Sequence, residues 1–196
     1  LAARRGALFT AAGRSLLIGV LSSALALLLG IPAAWALAQK NRPLWWLVFA
    51  ALPLSLPASV AVSGWVGLAA PTGAASRFRV PIPGFGDESR GWLFSLLGVS
   101  VVLATVLWPI IALELWPAFR RARSQSYDAA LLIGSPLKAF FQIILPQALG
   151  ELFCGSLLVF LLASTDFSVS SLLLVRTLPT EIHDALMVGR TASAAW

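Results

Sequence analysis

Three long stretches without a charged residue constrain the fold of this chain more than any other feature. They cover residues 15–39, 43–76 and 91–113. A helix of about 20 apolar residues is long enough to cross the roughly 30 Å hydrocarbon core of a lipid bilayer. The composition agrees, because 59% of the residues are hydrophobic and only 11% are charged, against about 25% charged in soluble domains. We therefore predict an all-α protein that crosses a membrane several times.

The hydrophobic pattern predicts four full spans and the start of a fifth. The four spans are placed at 16–37, 44–68, 92–116 and 146–166, and a mixed segment at 177–190 begins the fifth. Pro53 and Pro57 lie one helical turn apart and predict a kink or a local break in the second span. Five tryptophans near span ends fit a belt at the membrane–water interface: Trp35, Trp45, Trp46, Trp92 and Trp116. A single domain covers 1–196, and we expect it to be truncated at both ends, at Leu1 and at Trp196.

The net charge of +6 is carried by the short connections between the spans, which is ordinary for a membrane protein. No basic stripe is interleaved with exposed aromatic residues, so we expect no nucleic-acid partner. The count of Lys and Arg leaves the orientation open. One side of the membrane receives six of them: Lys40, Arg42, Arg120, Arg121, Arg123 and Lys138. The other side also receives six, before Arg176 is added: Arg4, Arg5, Arg14, Arg77, Arg79 and Arg90.

The connection between the third and fourth spans contains a half-polar stretch at 127–141. Gly134, Ser135 and Pro136 lie in its middle, and because Gly ends helices readily and Pro starts them, the stretch predicts a helix, a turn and a second helix. Asp128 is expected near the start of the first helix, where a carboxylate meets the positive end of the helix dipole. An amphipathic helix that only covers the ends of the spans would show the same pattern, so these residues alone leave the role of the stretch open.

Residues 128–130, Gly134 and residues 143–146 resemble the E-A-A…G…I-x-L-P loop of permease subunits of bacterial ABC importers. Asp128 stands where Glu is usual, and the interval from Gly134 to Pro146 is one residue shorter than the commonest spacing. In that family the loop is cytoplasmic and inserts into a groove on the ATP-hydrolysing subunit. The resemblance therefore implies a coupling loop at 120–146. Its implied ATPase-coupling residues are Tyr127, Asp128, Ala129, Ala130, Gly134, Ser135, Pro136, Leu145 and Pro146.

The resemblance extends over about 15–190, because residues 31–37, 51–57 and 64–65 are similar to core helices of the same family. Residues 166–169 and 178–182 resemble its iron(III)- and thiamine-type branch. The implied fold is the transmembrane helical bundle of a type I ABC importer permease in a bacterial inner membrane. The implied partners are ABC ATPase subunits, a periplasmic solute-binding protein, a second permease half (an identical, fused or different chain) and the lipid bilayer. ATP and magnesium would belong to the ATPase, and the solute would be iron(III), thiamine or a similar small molecule.

The alternative is a membrane anchor or small channel-like protein whose amphipathic loop lies on the lipid surface. In either case we expect no catalysis and no bound cofactor, because the chain lacks a GxxxxGK[ST] phosphate loop. His183 is the only histidine, too few for the usual metal-ligand sets. Asp166, at the end of the fourth span, is a candidate for the solute pathway, and a helix-end carboxylate in water is an equal alternative. Glu151 is expected to reach the interface or to pair with a basic loop residue.

Overall fold

The computed structural model describes residues 2–39, 44–69, 93–131 and 136–187, and within them the side chains of 6, 8–39, 45–68, 93–123 and 138–187. The regular elements in these ranges are all helical, as predicted. Four helices come first: α1 (Ala2–Ala38), α2 (Leu44–Ser55), α3 (Ala58–Ala69) and α4 (Leu96–Leu131). A composite helix follows, made of α5 (Pro136–Ala139), a π-helical turn (Phe140–Ile144) and α6 (Leu145–Gln147). The last three helices are α7 (Leu149–Thr165), α8 (Ser168–Leu172) and α9 (Leu178–Met187).

Two of the helices in the described ranges are long and apolar enough to cross a membrane in one piece. These candidate spans are Leu8–Ala38 in α1 and Leu96–Arg123 in α4, with mean hydropathies of 2.3 and 2.4. Two further candidates are pairs of helices joined at a sharp bend, Trp45–Ser55 with Ala58–Leu68 and Phe140–Gln147 with Leu149–Thr165. The expectation of four full spans therefore holds only if each bent pair counts as one span. The chain is a helical membrane protein with two to four candidate spans.

The predicted break at Pro53 and Pro57 is confirmed, since α2 and α3 meet at a bend of 86°. Pro53 lies inside α2, whereas Pro57 lies in the gap before α3. Pro57 has no N–H to donate, but its carbonyl accepts the N–H of Val60 at 2.9 Å and so starts the next helix. The Ser55 hydroxyl donates to the Leu52 carbonyl at 2.7 Å, which gives a carbonyl at the end of α2 a partner. Two carbonyls at the bend, those of Leu52 and Pro57, therefore have hydrogen-bond partners.

The prediction that Asp128 lies near a helix start is wrong. The third span and the first predicted loop helix form one continuous element, α4, which passes through Pro109 and Pro117 and ends at Leu131. No Gly or Pro follows Pro117 until Gly134, so nothing in the sequence stops the helix after the basic cluster. Asp128 therefore lies in the last turn of α4, at the negative end of its dipole. The turn itself, 132–135, lies outside the described residues.

The chain divides into two compact units. One unit is made of Ser23–Ser55 and Ala104–Val159. Its buried core is dominated by small residues and by large side chains of α4, namely Ile111, Leu115 and Phe119. The helices approach each other closely there. A Cβ added to Gly30 would lie 2.6 Å from the Ile111 Cβ, and one added to Gly155 would lie 3.3 Å from the Ile111 Cδ1. Small residues at such contacts are typical of helix packing in membranes.

The other unit is made of Leu1–Ser22, Leu56–Leu103 and Phe160–Trp196. Within it α8 packs against α3, and α1 packs closely on the start of the third segment, since a Cβ on Gly19 would meet the Phe160 ring at 2.8 Å. The buried Ser15 hydroxyl of α1 accepts the N–H of Leu178 at 2.9 Å and so caps the start of α9. The predicted fifth span begins here as a helix of 10 residues, and residues 188–196 lie outside the described part of the chain.

Replacement of Gly30 by Ala is expected to destabilise the protein by about 1–3 kcal/mol, because the new methyl group would overlap Ile111 and lie 3.0 Å from the Trp108 carbonyl oxygen. Gly13→Ala is the matched control, since a Cβ there meets nothing within 4 Å. The measurement is the free energy of unfolding of both variants in detergent. Equal effects of the two changes would contradict the close contact at Gly30.

Candidate coupling site

The structure places the residues of the resemblance in two helical segments. Residues 127–130, which are Tyr127, Asp128, Ala129 and Ala130, form part of the last two turns of α4, and Pro136 begins α5. Gly134 and Ser135 lie outside the described residues. Leu145 and Pro146 form the start of α6, where Leu145 packs against the buried core and Pro146 is exposed. The backbone of the predicted coupling loop is thus helical on both sides of its turn.

The second segment departs from regular α-helix in two places. The turn Phe140–Ile144 is π-helical, which is uncommon and often accompanies functional sites. A bend of 67° then separates the composite helix from α7 at Ala148. Pro146 lies just before this bend rather than in the first turn of α7, and the bent pair that forms this candidate span begins at Phe140, six residues before the predicted start of the fourth span. The bend turns the segment 136–147 away from the direction of α7.

An aromatic cluster of Trp35, Phe119 and Phe140 fastens the second segment to α1 and α4. The ring centroids lie 6.0 Å apart for Trp35 and Phe119, 5.1 Å for Trp35 and Phe140, and 5.5 Å for Phe119 and Phe140. All three pairs are edge-to-face, the arrangement that aromatic rings prefer. Phe119 is fully buried and the other two rings are partly buried. One side chain from the segment is therefore held by two membrane-length helices at once.

The segment 136–147 presents one apolar and one exposed face. Ala139 and Ile144 are buried, whereas Lys138, Phe141 and Gln142 are exposed. The Phe141 side chain is 60% exposed although it is aromatic. The inner face is therefore used for packing, whereas the exposed residues include one aromatic ring and one lysine.

Arg120, Arg121 and Arg123, which follow the predicted third span, each contact a neighbouring group. Arg121 donates to the Glu151 carboxylate at 2.6 Å, which confirms the expected pairing of Glu151 with a basic loop residue. Arg123 donates to the Ala38 carbonyl at 3.3 Å, so a cation caps the negative end of α1. Arg120 lies over the Trp116 ring, 5.9 Å from its centroid. The sequence predicted a basic partner for Glu151, but it did not predict the contacts of Arg123 with Ala38 and of Arg120 with Trp116.

The structure adds packing contacts to two of the tryptophans, and the interfacial belt stays a prediction. Trp45 and Trp46 are exposed, whereas Trp35 is half-buried in the aromatic cluster and Trp116 is half-buried beside Arg120. Trp92 lies outside the described residues. Phe140 was visible in the sequence only as one apolar position of an amphipathic pattern, and no sequence signal joined it to Trp35.

Asp166 lies between α7 and α8, away from the coupling segment in sequence. Its Oδ2 accepts the N–H of Val169 at 2.7 Å and so caps the first turn of α8 from the residue before the N-cap, Phe167; its carbonyl accepts the Ser170 hydroxyl at 3.3 Å. Beside it the Phe167 ring stacks on His183 with centroids 4.6 Å apart. Asp166 therefore stabilises the start of α8, and this contribution is independent of a role in a solute pathway.

Across the described ranges no group of three or more His, Cys, Asp or Glu side chains could hold a metal ion. His183 lies instead between its Phe167 stacking partner and Asp184, whose Oδ1 is 3.8 Å from the His183 Nδ1.

The comparisons with known proteins point to transport. No protein-family model matches this sequence. A segment of 79 residues, 40% of the chain, is 33% identical to the "Putative 2-aminoethylphosphonate transport system permease protein PhnU" of Salmonella typhimurium and of Salmonella choleraesuis. The protein of the same name from Salmonella typhi is 32% identical over the same length. The matched segment spans only 28% of the first two relatives and 27% of the third.

Together with the apolar helices, this similarity supports a membrane-embedded transport permease. The relatives carry the name of 2-aminoethylphosphonate, so no comparison supports the iron(III)- and thiamine-type branch that residues 166–169 and 178–182 suggested.

Replacement of Phe140 by Ala is expected to lower the free energy of unfolding by about 2 kcal/mol or more, because three edge-to-face contacts, with Trp35, Phe119 and Phe141, and a buried surface are lost. The matched control is Phe141→Ala, which removes the edge-to-face contact with Phe140 but leaves those of Trp35 and Phe119; its ring is 60% exposed, and its loss is expected to cost less than about 1 kcal/mol. Thermal unfolding in detergent measures both. A larger effect at Phe141 than at Phe140 would show that the aromatic cluster does not hold the segment.

Proposed function

We propose that this chain is a transmembrane permease subunit of a bacterial ABC importer, and that 120–146 couples it to a separate ATPase. The observation that carries the proposal is the aromatic cluster, which ties the segment bearing the motif to α1 and α4. The similarity to transport permeases supports it independently. ATP and magnesium belong to the ATPase partner in this proposal, and the chain itself catalyses no reaction.

The packing supplies a route for mechanical coupling. A force on the exposed face of the segment reaches Phe140, whose ring touches Trp35 of α1 and Phe119 of α4. Close-packed interiors transmit such displacements because they hardly compress. The Arg121–Glu151 pair adds a second connection, from α4 to the start of α7. Closure of an ATPase pair would thereby shift several helices together, as rigid-body switching requires.

The remaining partners follow from the same assignment. A periplasmic binding protein would deliver the solute, a second permease half would complete the path, and the complex would lie in the inner membrane. Each bent helix pair counts as one broken crossing, which gives four spans and leaves α9 as the start of a fifth. The name of the relatives makes 2-aminoethylphosphonate the first solute to test, with iron(III) and thiamine as comparison solutes.

One observation favours the rival, a membrane anchor or small channel-like protein. The exposed Phe141 beside the exposed Lys138 is what an amphipathic helix lying on a lipid surface would present. The same pair also suits a protein groove, since aromatic residues are enriched at interfaces. The rival needs no ATPase, and retention of one therefore separates the two proposals.

Replacement of Ala129 by Arg is expected to abolish co-purification of the ATPase subunit, because a long charged side chain would prevent close approach to the partner. Ala129→Ser is the control at the same position, since it keeps the residue small. Gly134→Leu should also release the ATPase. Co-purification from membranes containing both subunits measures the association. Retention of the ATPase by both Ala129→Arg and Gly134→Leu would refute coupling through this loop.

Asp166 is proposed to line the solute path in addition to capping α8, and two substitutions separate these tasks. Asp166→Asn keeps a capping oxygen but removes the charge, so it should impair solute uptake and leave stability and ATPase association intact. Asp166→Ala removes both, and it should also destabilise the protein by about 1 kcal/mol. Uptake by vesicles and thermal unfolding provide the two readouts. Normal uptake by Asp166→Asn would remove the residue from the path.

A further inference from the structure

A second site lies in the unit that contains the start of α4 and the loop between α8 and α9. A cavity of about 590 Å³ opens there, within the usual size range of ligand pockets. Two arginines line it, Arg14 from α1 and Arg176 from the loop before α9. The rest of its lining is apolar apart from Ser95, and it is made of Phe94, Leu96, Leu97, Leu174 and Val175.

The fold holds the two arginines in this position. Ser15, the residue after Arg14, accepts the N–H of Leu178 at 2.9 Å and so ties the loop to α1. Thr177, the residue after Arg176, is buried and exchanges hydrogen bonds with Thr180 in the first turn of α9. Each arginine is therefore next in sequence to a buried hydroxyl residue, and its long side chain extends from a fixed backbone. Arg14 also lies within the candidate span Leu8–Ala38, where a charged residue is costly unless it serves a purpose.

The backbone of the cavity wall is strained at Leu174. Its φ of 56° lies in the left-handed region that favours Gly, although the side chain is 83% exposed and gains little from packing. The left-handed conformation of Leu174 closes a Schellman motif at the end of α8. The Leu174 N–H donates to the Ser171 carbonyl at 3.2 Å, and the Val175 N–H donates to the Ser170 carbonyl at 2.9 Å. This turn directs the chain to Arg176. Strained non-glycine residues of this kind are concentrated at functional sites.

The start of α4 also lines the cavity. Leu96 and Leu97 are the first two residues of this 36-residue helix, and N–H groups in a first turn have no partner within the helix. Ser95 accepts the N–H of Gly98 at 3.4 Å and so caps the same end. The Arg176 Nη1 lies 4.0 Å from the Glu181 Oε1, at the limit of an ion pair, and the Arg176 side chain is 82% exposed. Its guanidinium therefore keeps donors that an anion can reach.

We infer that this cavity binds a small phosphate-type oxyanion. The planar guanidinium presents parallel N–H donors that match the oxygens of a phosphate or phosphonate, and two arginines together match its double charge. The apolar wall would accommodate a short carbon chain attached to the anion. The spans predicted from the sequence put Arg14 and Arg176 on the same side of the membrane. The same chemistry occurs in a free solute and in the headgroup of an anionic lipid.

Binding of inorganic phosphate to the purified full chain in an uncharged detergent tests the inference, with isothermal titration calorimetry at low ionic strength. Arg14→Gln and Arg176→Gln are each expected to weaken binding about tenfold or more, since each removes a charge-assisted contact. Arg176→Lys should give an intermediate loss, because it keeps the charge but not the paired donors. Glu181→Gln should tighten binding, because it removes the competing carboxylate. Arg120→Gln, an exposed arginine outside the lining, is the control and should bind as the unchanged protein does.

Bilayer nanodiscs then distinguish the two sources of the anion. If phosphate binds equally well in phosphatidylcholine and phosphatidylglycerol, the site takes a free solute; if phosphatidylglycerol competes with phosphate, the site takes a lipid headgroup. Both results retain an oxyanion site. Absence of saturable phosphate binding in detergent, or binding that survives both Arg→Gln changes, would overturn it.

A role of the site in solute passage rests on the proposed function, whereas oxyanion binding does not. The proposed function and the oxyanion site can therefore fail separately. Co-purification of the ATPase tests the proposed function and needs no phosphate. Phosphate binding to the purified chain tests the oxyanion site and needs no ATPase.

Discussion

The shortage of hydrogen-bond partners for the backbone inside a lipid bilayer is the constraint on which this structure depends. Where a helix stops, its carbonyl and N–H groups need other partners, because lipid supplies none. The bend at Ala148 meets this need locally: Ala148 donates to the Leu145 carbonyl at 3.1 Å and accepts the Leu152 N–H at 2.9 Å. Hydroxyl groups within the helices find partners in the same way, since Ser63 donates to the Ser59 carbonyl and Thr165 to the Leu161 carbonyl. Local hydrogen bonds of this kind lower the cost of a sharp bend in an apolar chain.

The same shortage of water explains why close packing, rather than apolar burial alone, joins the helices. Lipid tails are as apolar as Leu, so helices associate through shape and short contacts. Gly30 and Gly155 both admit Ile111 of α4, which brings the backbones of α1 and α7 close to one side chain. The aromatic cluster extends this packing to Phe140. A segment fastened to such a core moves with it, and this makes the segment suitable as a mechanical lever.

Much of this architecture could be predicted from the sequence because it follows from local chemistry. The uncharged stretches predicted the helical class. Pro53 and Pro57 predicted the bend in the second candidate span, and the charge of Glu151 predicted its pairing with a basic residue. The continuity of α4 was harder to predict. The Gly-Ser-Pro turn suggested that a separate short helix precedes it, although residues 118–131 continue the helix of the third span. The link from Phe140 to Trp35 was inaccessible for another reason. It joins residues that are distant in the sequence, and no periodicity within either helix records the contact.

Orientation shows how equal charge counts can conceal different physical roles. The predicted spans put six Lys and Arg residues on either side of the membrane before Arg176 is added, and a count treats them as equivalent. The structure separates those it describes by their contacts. Arg121 pairs with the Glu151 carboxylate and Arg123 caps the end of α1, so both charges stabilise the packing of α4 against α7 and α1. Arg14 and Arg176 instead line an open cavity, and the Arg176 guanidinium lies 4.0 Å from the Glu181 carboxylate, at the limit of ion pairing. A charge that is closely paired stabilises the fold, whereas a charge that lines an open cavity can act on a ligand, and contacts rather than counts decide between the two.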